Sequence, residues 1–107
     1  MLVRDLAADQ QDAIRDCLRF VLESGELEGE FQTRLGVTEA EVKALLRCWP
    51  EVDDVEGAPV ALAVNNALNE VCHGVQVREW NRWFSVTPEE LLALFHQWAG
   101  DKETSRG

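Results

Sequence analysis

Apolar residues recur at helical spacing in two stretches of the chain, one beginning at Val37-Thr38 and the other at Val86-Thr87. Residues three, four and seven positions apart share one face of a helix, so both stretches predict amphipathic helices. The apolar rows are Val42, Leu45, Leu46 and Trp49 in the first stretch and Leu91, Leu94, Phe95 and Trp98 in the second.

Both helices carry the same start signal. Thr38 can accept a hydrogen bond from a backbone N–H within the first helical turn, and Glu41 can reach back to the N–H of that threonine, which makes a capping box. Thr87 and Glu90 repeat the pair, and Pro88 occupies the first helical position, where its missing N–H costs nothing. We therefore predict that a helix begins at each threonine.

The two stretches align at a constant offset of 49 residues (86 − 37), and weaker matches such as Phe31 with Trp80 continue upstream. This predicts an all-α fold of about six helices, arranged as two similar three-helix units over residues 9–49 and 59–98. Trp49 and Trp98 are then expected to fill matching positions. The alternative is that common helix-start residues recur by chance.

A helix over residues 59–73 is predicted at the centre, between the two units. One of its faces is apolar, whereas the other carries polar, uncharged side chains: Asn65, Asn66, Asn69 and His73. Asparagine is a poor helix former because its side chain competes for backbone partners. We expect the amides to bond to the backbone of the acidic linker, residues 50–58, or of residues 75–79; a recognition surface or ligand pocket is the alternative.

The length of 107 residues and the 46% hydrophobic content predict one domain over residues 1–107. Gly100 is expected to end the last helix, which leaves residues 100–107 as a disordered tail. The longest apolar run, residues 58–64, is too short to span a bilayer. Three cysteines without paired spacing, at positions 17, 48 and 72, predict reduced, buried thiols and a cytoplasmic location.

Charge gives the strongest indication of function. The chain has 20 acidic and 10 basic residues, a formal net charge of −10, and 14 of the acids lie in residues 1–57. Such a balance repels nucleic acid and anionic membranes and speeds encounter with a basic partner. The plainer interpretation is that the acids only keep the protein in solution.

The candidate partner-binding residues are two acidic clusters and two apolar positions in the second unit. The acidic residues are Glu23, Glu26, Glu28, Glu30, Asp53, Asp54 and Glu56. Carboxylates before a short helix can also serve to favour its positive end. The apolar positions are Trp83 and Leu92, which align with Arg34 and Lys43 of the first unit. This change from charged to apolar predicts either a contact surface, such as a homodimer interface, or more intramolecular core.

No nucleophile with a base motif, phosphate-binding glycine loop or metal-ligand spacing occurs in the chain, so we expect neither an enzyme nor a cofactor or metal site. The prediction is a non-catalytic acidic protein-interaction module that binds or inhibits a basic protein partner. One alternative is a DNA-binding regulator, because residues 31–46 resemble a helix-turn-helix, although the lysine and arginine cluster needed for phosphates is missing. Another is a small-molecule-binding domain that uses the asparagine face.

Overall fold

A computed structural model of the chain describes residues 2–54 and 59–104, with the backbone alone for residues 54 and 101–104. The regular structure in these ranges is entirely helical, without a strand, so the all-α prediction of about six helices is confirmed. The helices are α1 (Ala8–Glu23), α2 (Phe31–Leu35), α3 (Glu39–Cys48), α4 (Val60–Asn69), α5 (Trp80–Trp83) and α6 (Pro88–Thr104). Short 3₁₀ turns, Val3–Asp5 and Glu51–Asp54, precede α1 and follow α3.

Both predicted capping boxes are present and nearly identical. The N–H of Glu41 donates to Thr38 Oγ1 over 3.1 Å, and the N–H of Thr38 donates to Glu41 Oε1 over 3.0 Å. The corresponding distances for Glu90 and Thr87 are 3.1 and 3.0 Å. Each box satisfies two backbone groups at a helix end, and α3 and α6 begin directly after their threonines.

Buried side chains from both halves of the chain form one continuous cluster. Helix α4 packs against α1, α2 and α6, and α1 also packs against α3. The largest fully buried members include Ile14, Leu45, Leu68 and Leu91, one each from α1, α3, α4 and α6. Because the helices share this cluster, burial of apolar surface holds the two halves against each other.

The helix predicted over residues 59–73 has two parts. Regular α-helix ends at Asn69, and a π turn follows over Glu70–Gly74. Glu70 is only 7% exposed, and its carboxylate accepts hydrogen bonds from the guanidinium of Arg34. The guanidinium also donates to the carbonyl of Gly74 over 3.2 Å. A cation from the first half thus satisfies polar groups of this wider turn, as a buried carboxylate requires.

The internal repeat stays a prediction. In its favour, α5 and α6 begin at the same offset of 49 residues from α2 and α3 (80 − 31 and 88 − 39). Against it, Trp49 lies half-buried at the end of α3 and donates to the carbonyl of Gln11, whereas Trp98 is 4% exposed within α6. The two tryptophans therefore do not have matching surroundings.

Two further expectations differ from the structure. Helix α6 continues past Gly100 to Thr104, because glycine at this position does not interrupt the backbone; the predicted helix end is wrong. A disordered tail stays a prediction, and residues 105–107 lie outside the described ranges.

All three cysteines are predicted to be buried. Cys17 is buried, but Cys72 is half-buried and Cys48 is exposed, so burial holds for one of the three thiols.

Candidate partner-binding site

The loop between α1 and α2 displays most of the first acidic cluster. Gly25 and Gly29 have φ values of 81° and 83°, which allow two successive reversals of the chain. The N–H of Glu28 donates to the carbonyl of Gly25, and the N–H of Glu30 donates to that of Leu27. Leu27 is buried between these turns at 1% exposure. The loop is therefore anchored by an apolar side chain and its own hydrogen bonds, with its glutamates on the outside.

The four glutamates of this cluster are all exposed but differ in their ionic partners. Glu23 pairs with Arg19 at 3.7 Å, and Glu30 pairs with Arg34 at 3.8 Å. No ion pair joins Glu26 or Glu28 to another described residue. Glu30 is at the N-cap position of α2 without a capping side-chain bond, and the first turn of α2 holds no acid. A capping hydrogen bond therefore does not account for the acid at position 30.

A shallow cleft of about 240 Å³ adjoins the loop. We call it the acidic cleft because Glu28 and Glu39 both line it. Its apolar lining comes from Val21, Leu22, Leu27 and Phe31. Sequence reasoning missed Glu39 as a partner of the cluster. The first turn of α3 meets the loop only because the tight connection after α2 turns the chain back.

The second acidic cluster is placed differently. Asp53 receives hydrogen bonds from the backbone N–H groups of Val3 and Arg4, at 3.2 and 2.9 Å, and its side chain is 8% exposed. It holds the amino-terminal 3₁₀ turn, so its carboxylate is already used within the fold. The side chain of Asp54 and all of Glu56 lie outside the described residues.

The asparagine face of α4 serves the fold at one position. The Asn66 amide donates to the carbonyl of Leu35 over 2.8 Å, and the Asn65 amide donates to Asn66 Oδ1 over 3.3 Å. The backbone partner of Asn66 is thus the last residue of α2, against which α4 packs. Among the described residues, the side-chain amides of this face make no hydrogen bond to the backbone of the linker or of residues 75–79. Asn69 and His73 are exposed, and the His73 ring lies 5.9 Å from that of Phe95.

Trp83 and Leu92 are not brought to one surface feature. Trp83 packs edge-on against Phe20 of α1, with ring centroids 5.2 Å apart, so it contributes mainly to intramolecular packing. Leu92 is half-buried and lines a second cleft, of about 300 Å³. We call this the apolar cleft; its other apolar lining residues are Val71, Cys72, Val77, Trp80 and Pro88.

The apolar cleft has a single carboxylate, Glu89, in its lining. The indole N–H of Trp80 is bonded to the carbonyl of Val86 over 2.7 Å, so the only hydrogen-bond donor of this ring is occupied. Burial raises the pKa of the Cys72 thiol, which keeps it neutral at pH 7. Sequence reasoning missed Trp80 here, since its alignment with buried Phe31 pointed to the core.

Histidine, cysteine and carboxylate side chains in the described ranges do not gather in groups of three or more that could hold a metal ion. The described helices also include none long and apolar enough to cross a membrane.

Complete burial raises the pKa of the Cys17 thiol well above its ordinary value, and the neighbouring Cys72 and Asp16 raise this pKa further. Its thiol is therefore protonated at neutral pH.

Comparisons of the chain with protein-family models, with curated proteins and with solved structures found no match.

Proposed function

We propose that this chain is a non-catalytic, acidic helical module that binds a basic protein partner through residues 23–30. The observation that carries the proposal is the anchored loop whose exposed Glu26 and Glu28 have no ion-pair partner in the described part of the chain. A carboxylate in this position can form an ion pair with a lysine or arginine of a partner without first breaking an intramolecular ion pair.

The acidic cleft supports the same proposal. It places Glu28 beside Glu39 and next to apolar side chains, so a partner's arginine could extend its stem along Leu22 or Phe31 while its charged head meets the carboxylates. A net charge of −10 speeds the encounter with such a partner. If the cleft covers the partner's own functional surface, binding inhibits it.

The test compares binding of one basic probe by two variants of equal net charge. The probe is a synthetic peptide of alternating arginine and alanine, and its affinity is measured by fluorescence anisotropy over a series of salt concentrations. Glu26→Gln/Glu28→Gln is expected to lower affinity about threefold to tenfold at low salt and to flatten the salt dependence. The control, Asp9→Asn/Glu51→Gln, removes two exposed charges elsewhere and is expected to change affinity less than twofold.

Equal losses in the two variants would mean that only net charge matters, and would overturn the assignment to this loop. A gel-shift series with duplex DNA tests the alternative regulator: tight, salt-sensitive DNA binding would overturn the proposal as a whole.

We also propose that the chain arose by internal duplication, with α4 between the two units, and that it acts in the cytoplasm. Support for duplication comes from the equal offset of two pairs of helix starts and from the paired capping boxes. Support for the position of α4 comes from its packing against α1, α2 and α6.

A further inference from the structure

The apolar cleft differs from the acidic cleft in what it can bind. Its lining is built from Val71, Val77, Trp80, Pro88 and Leu92, with a thiol that is kept neutral by burial. An apolar group entering it would displace water from both surfaces without leaving a buried donor unpaired, because the Trp80 N–H is already bonded.

The size of the cleft allows it to receive a large side chain. Its volume of about 300 Å³ lies at the lower end of the range for small-molecule sites. One large aliphatic or aromatic side chain, presented by a partner that remains outside, fits within this volume. Such anchors, buried in a pocket, carry much of the affinity of protein interfaces.

Charge indicates what should flank that side chain. Glu89 is exposed and is the carboxylate that lines the cleft, and Glu90 follows it in the same helical turn. A lysine or arginine beside the apolar anchor would meet Glu89. A second copy of this chain would instead bring another net charge of −10 toward the same surface, which opposes self-association.

Resting on the proposed function, we infer that the apolar cleft formed by Val71, Trp80 and Leu92 receives one large apolar side chain of the basic partner, with an adjacent partner cation paired to Glu89. The partner thereby meets two sites of different chemistry: carboxylates of residues 23–30 and an apolar pocket on the second half. Leu92, which replaces the first half's Lys43, belongs to this pocket, whereas Trp83 does not.

The experiment uses two synthetic peptides that differ at one position. Each peptide has a central residue with two lysines before it and two lysines after it. The central residue is leucine in one peptide and alanine in the other. Binding to the full chain is measured by NMR titration. The leucine peptide is expected to bind about tenfold more tightly, and its largest shift changes are expected at Cys72, Val77 and Leu92.

Leu92→Gln is expected to reduce the leucine preference to less than twofold. The matched control is Leu62→Gln, the same change at an exposed leucine of α4 that does not line the cleft; it should retain the preference. Circular dichroism melts verify that both variants fold. Glu89→Gln, which removes charge but no packing, provides a second variant and should weaken both peptides about twofold to threefold.

Equal affinity for the two peptides overturns the inference, as does a leucine preference that survives Leu92→Gln. If the peptides bind with salt dependence but shift only residues 23–30, the inference fails while the proposed function stands. If the leucine peptide occupies the cleft without salt dependence, the proposed function fails, and with it the basic partner inferred here. Self-association of the free chain that Leu92→Gln abolishes would put a second copy in the cleft and overturn the inference.

Discussion

Arg34 in α2 and Trp83 in α5 occupy the same position in the two aligned halves, and both reach across to the other half. Arg34 bonds to Glu70 at the end of α4, and Trp83 packs against Phe20 near the end of α1. One contact is a part-buried ion pair and the other is an edge-to-face aromatic pair. The same backbone placement therefore supports two different interactions between the halves.

The two clefts differ in their charge. On the first half, the acidic cleft has two carboxylates, Glu28 and Glu39; on the second half, the apolar cleft has one, Glu89. Helix α3 contributes to the acidic cleft and α6 to the apolar cleft, and both begin with the same capping-box hydrogen bonds. The capping box therefore does not determine whether a cleft is acidic or apolar. The lining positions that differ decide it: at the offset of 49 residues, Glu28 and Glu39 of the acidic cleft align with Val77 and Pro88 of the apolar cleft.

The comparison between halves is tested most strongly at the two tryptophans. Trp98→Ala is expected to lower the free energy of unfolding by about 3 to 5 kcal/mol, because this side chain is almost fully buried. Trp49→Ala should cost about 2 kcal/mol, since Trp49 is half-buried and loses one hydrogen bond to Gln11. Urea unfolding followed by circular dichroism measures both. Equal costs would indicate that the two positions are equivalent after all.

A smaller effect is expected at the ion pair between halves. Arg34→Met leaves the Glu70 carboxylate buried without its cation and should lower the free energy of unfolding by about 2 to 3 kcal/mol. The matched control is Arg82→Met at an exposed pair with Glu79, for which the expected loss is below about 0.5 kcal/mol.

The double variant Arg34→Met/Glu70→Met should recover much of the stability lost by Arg34→Met, because no buried charge then remains at this site. If the double variant is no more stable than the single variant, packing by the arginine stem, and not its charge, links the halves. The same urea unfolding measurement decides between these outcomes.

The smallest expected effect concerns the second capping box. Hydrogen bonds from the Thr87 backbone and hydroxyl lower the pKa of Glu90 below its ordinary value. A carboxyl whose pKa is lowered on folding contributes stability above its unfolded pKa, about 4.3, and loses that contribution as pH falls through the folded pKa. Glu90→Gln should therefore lower the melting temperature slightly at pH 7, with the difference from the parent chain disappearing near pH 3.

Glu89→Gln is the control for this pH dependence, since Glu89 lies in the same helical turn but outside the capping box. Thermal melts at both pH values would contradict the assignment if the two variants showed the same pH dependence. They would also contradict it if the deficit of Glu90→Gln persisted at pH 3.

Local signals made several features predictable. The threonine and glutamate of each capping box lie three residues apart, so their hydrogen bonds need nothing from the rest of the chain. Phe31 and Leu35, four residues apart in the sequence, share one face of α2 and are both buried. The end of α6 was not predictable in this way, because Gly100 permits a helix end without requiring one.

The helical class, the two capped helix starts, the net negative charge and the acidic loop follow from the amino-acid order alone, because each depends on neighbours along the chain or on composition. Three arrangements depend instead on how the helices pack: Arg34 with Glu70, Asp53 with the amino-terminal turn, and Trp80 with Leu92 in one cleft. These contacts join residues far apart in sequence. Their partners depend on how the helices pack, which hydrophobic periodicity alone does not specify.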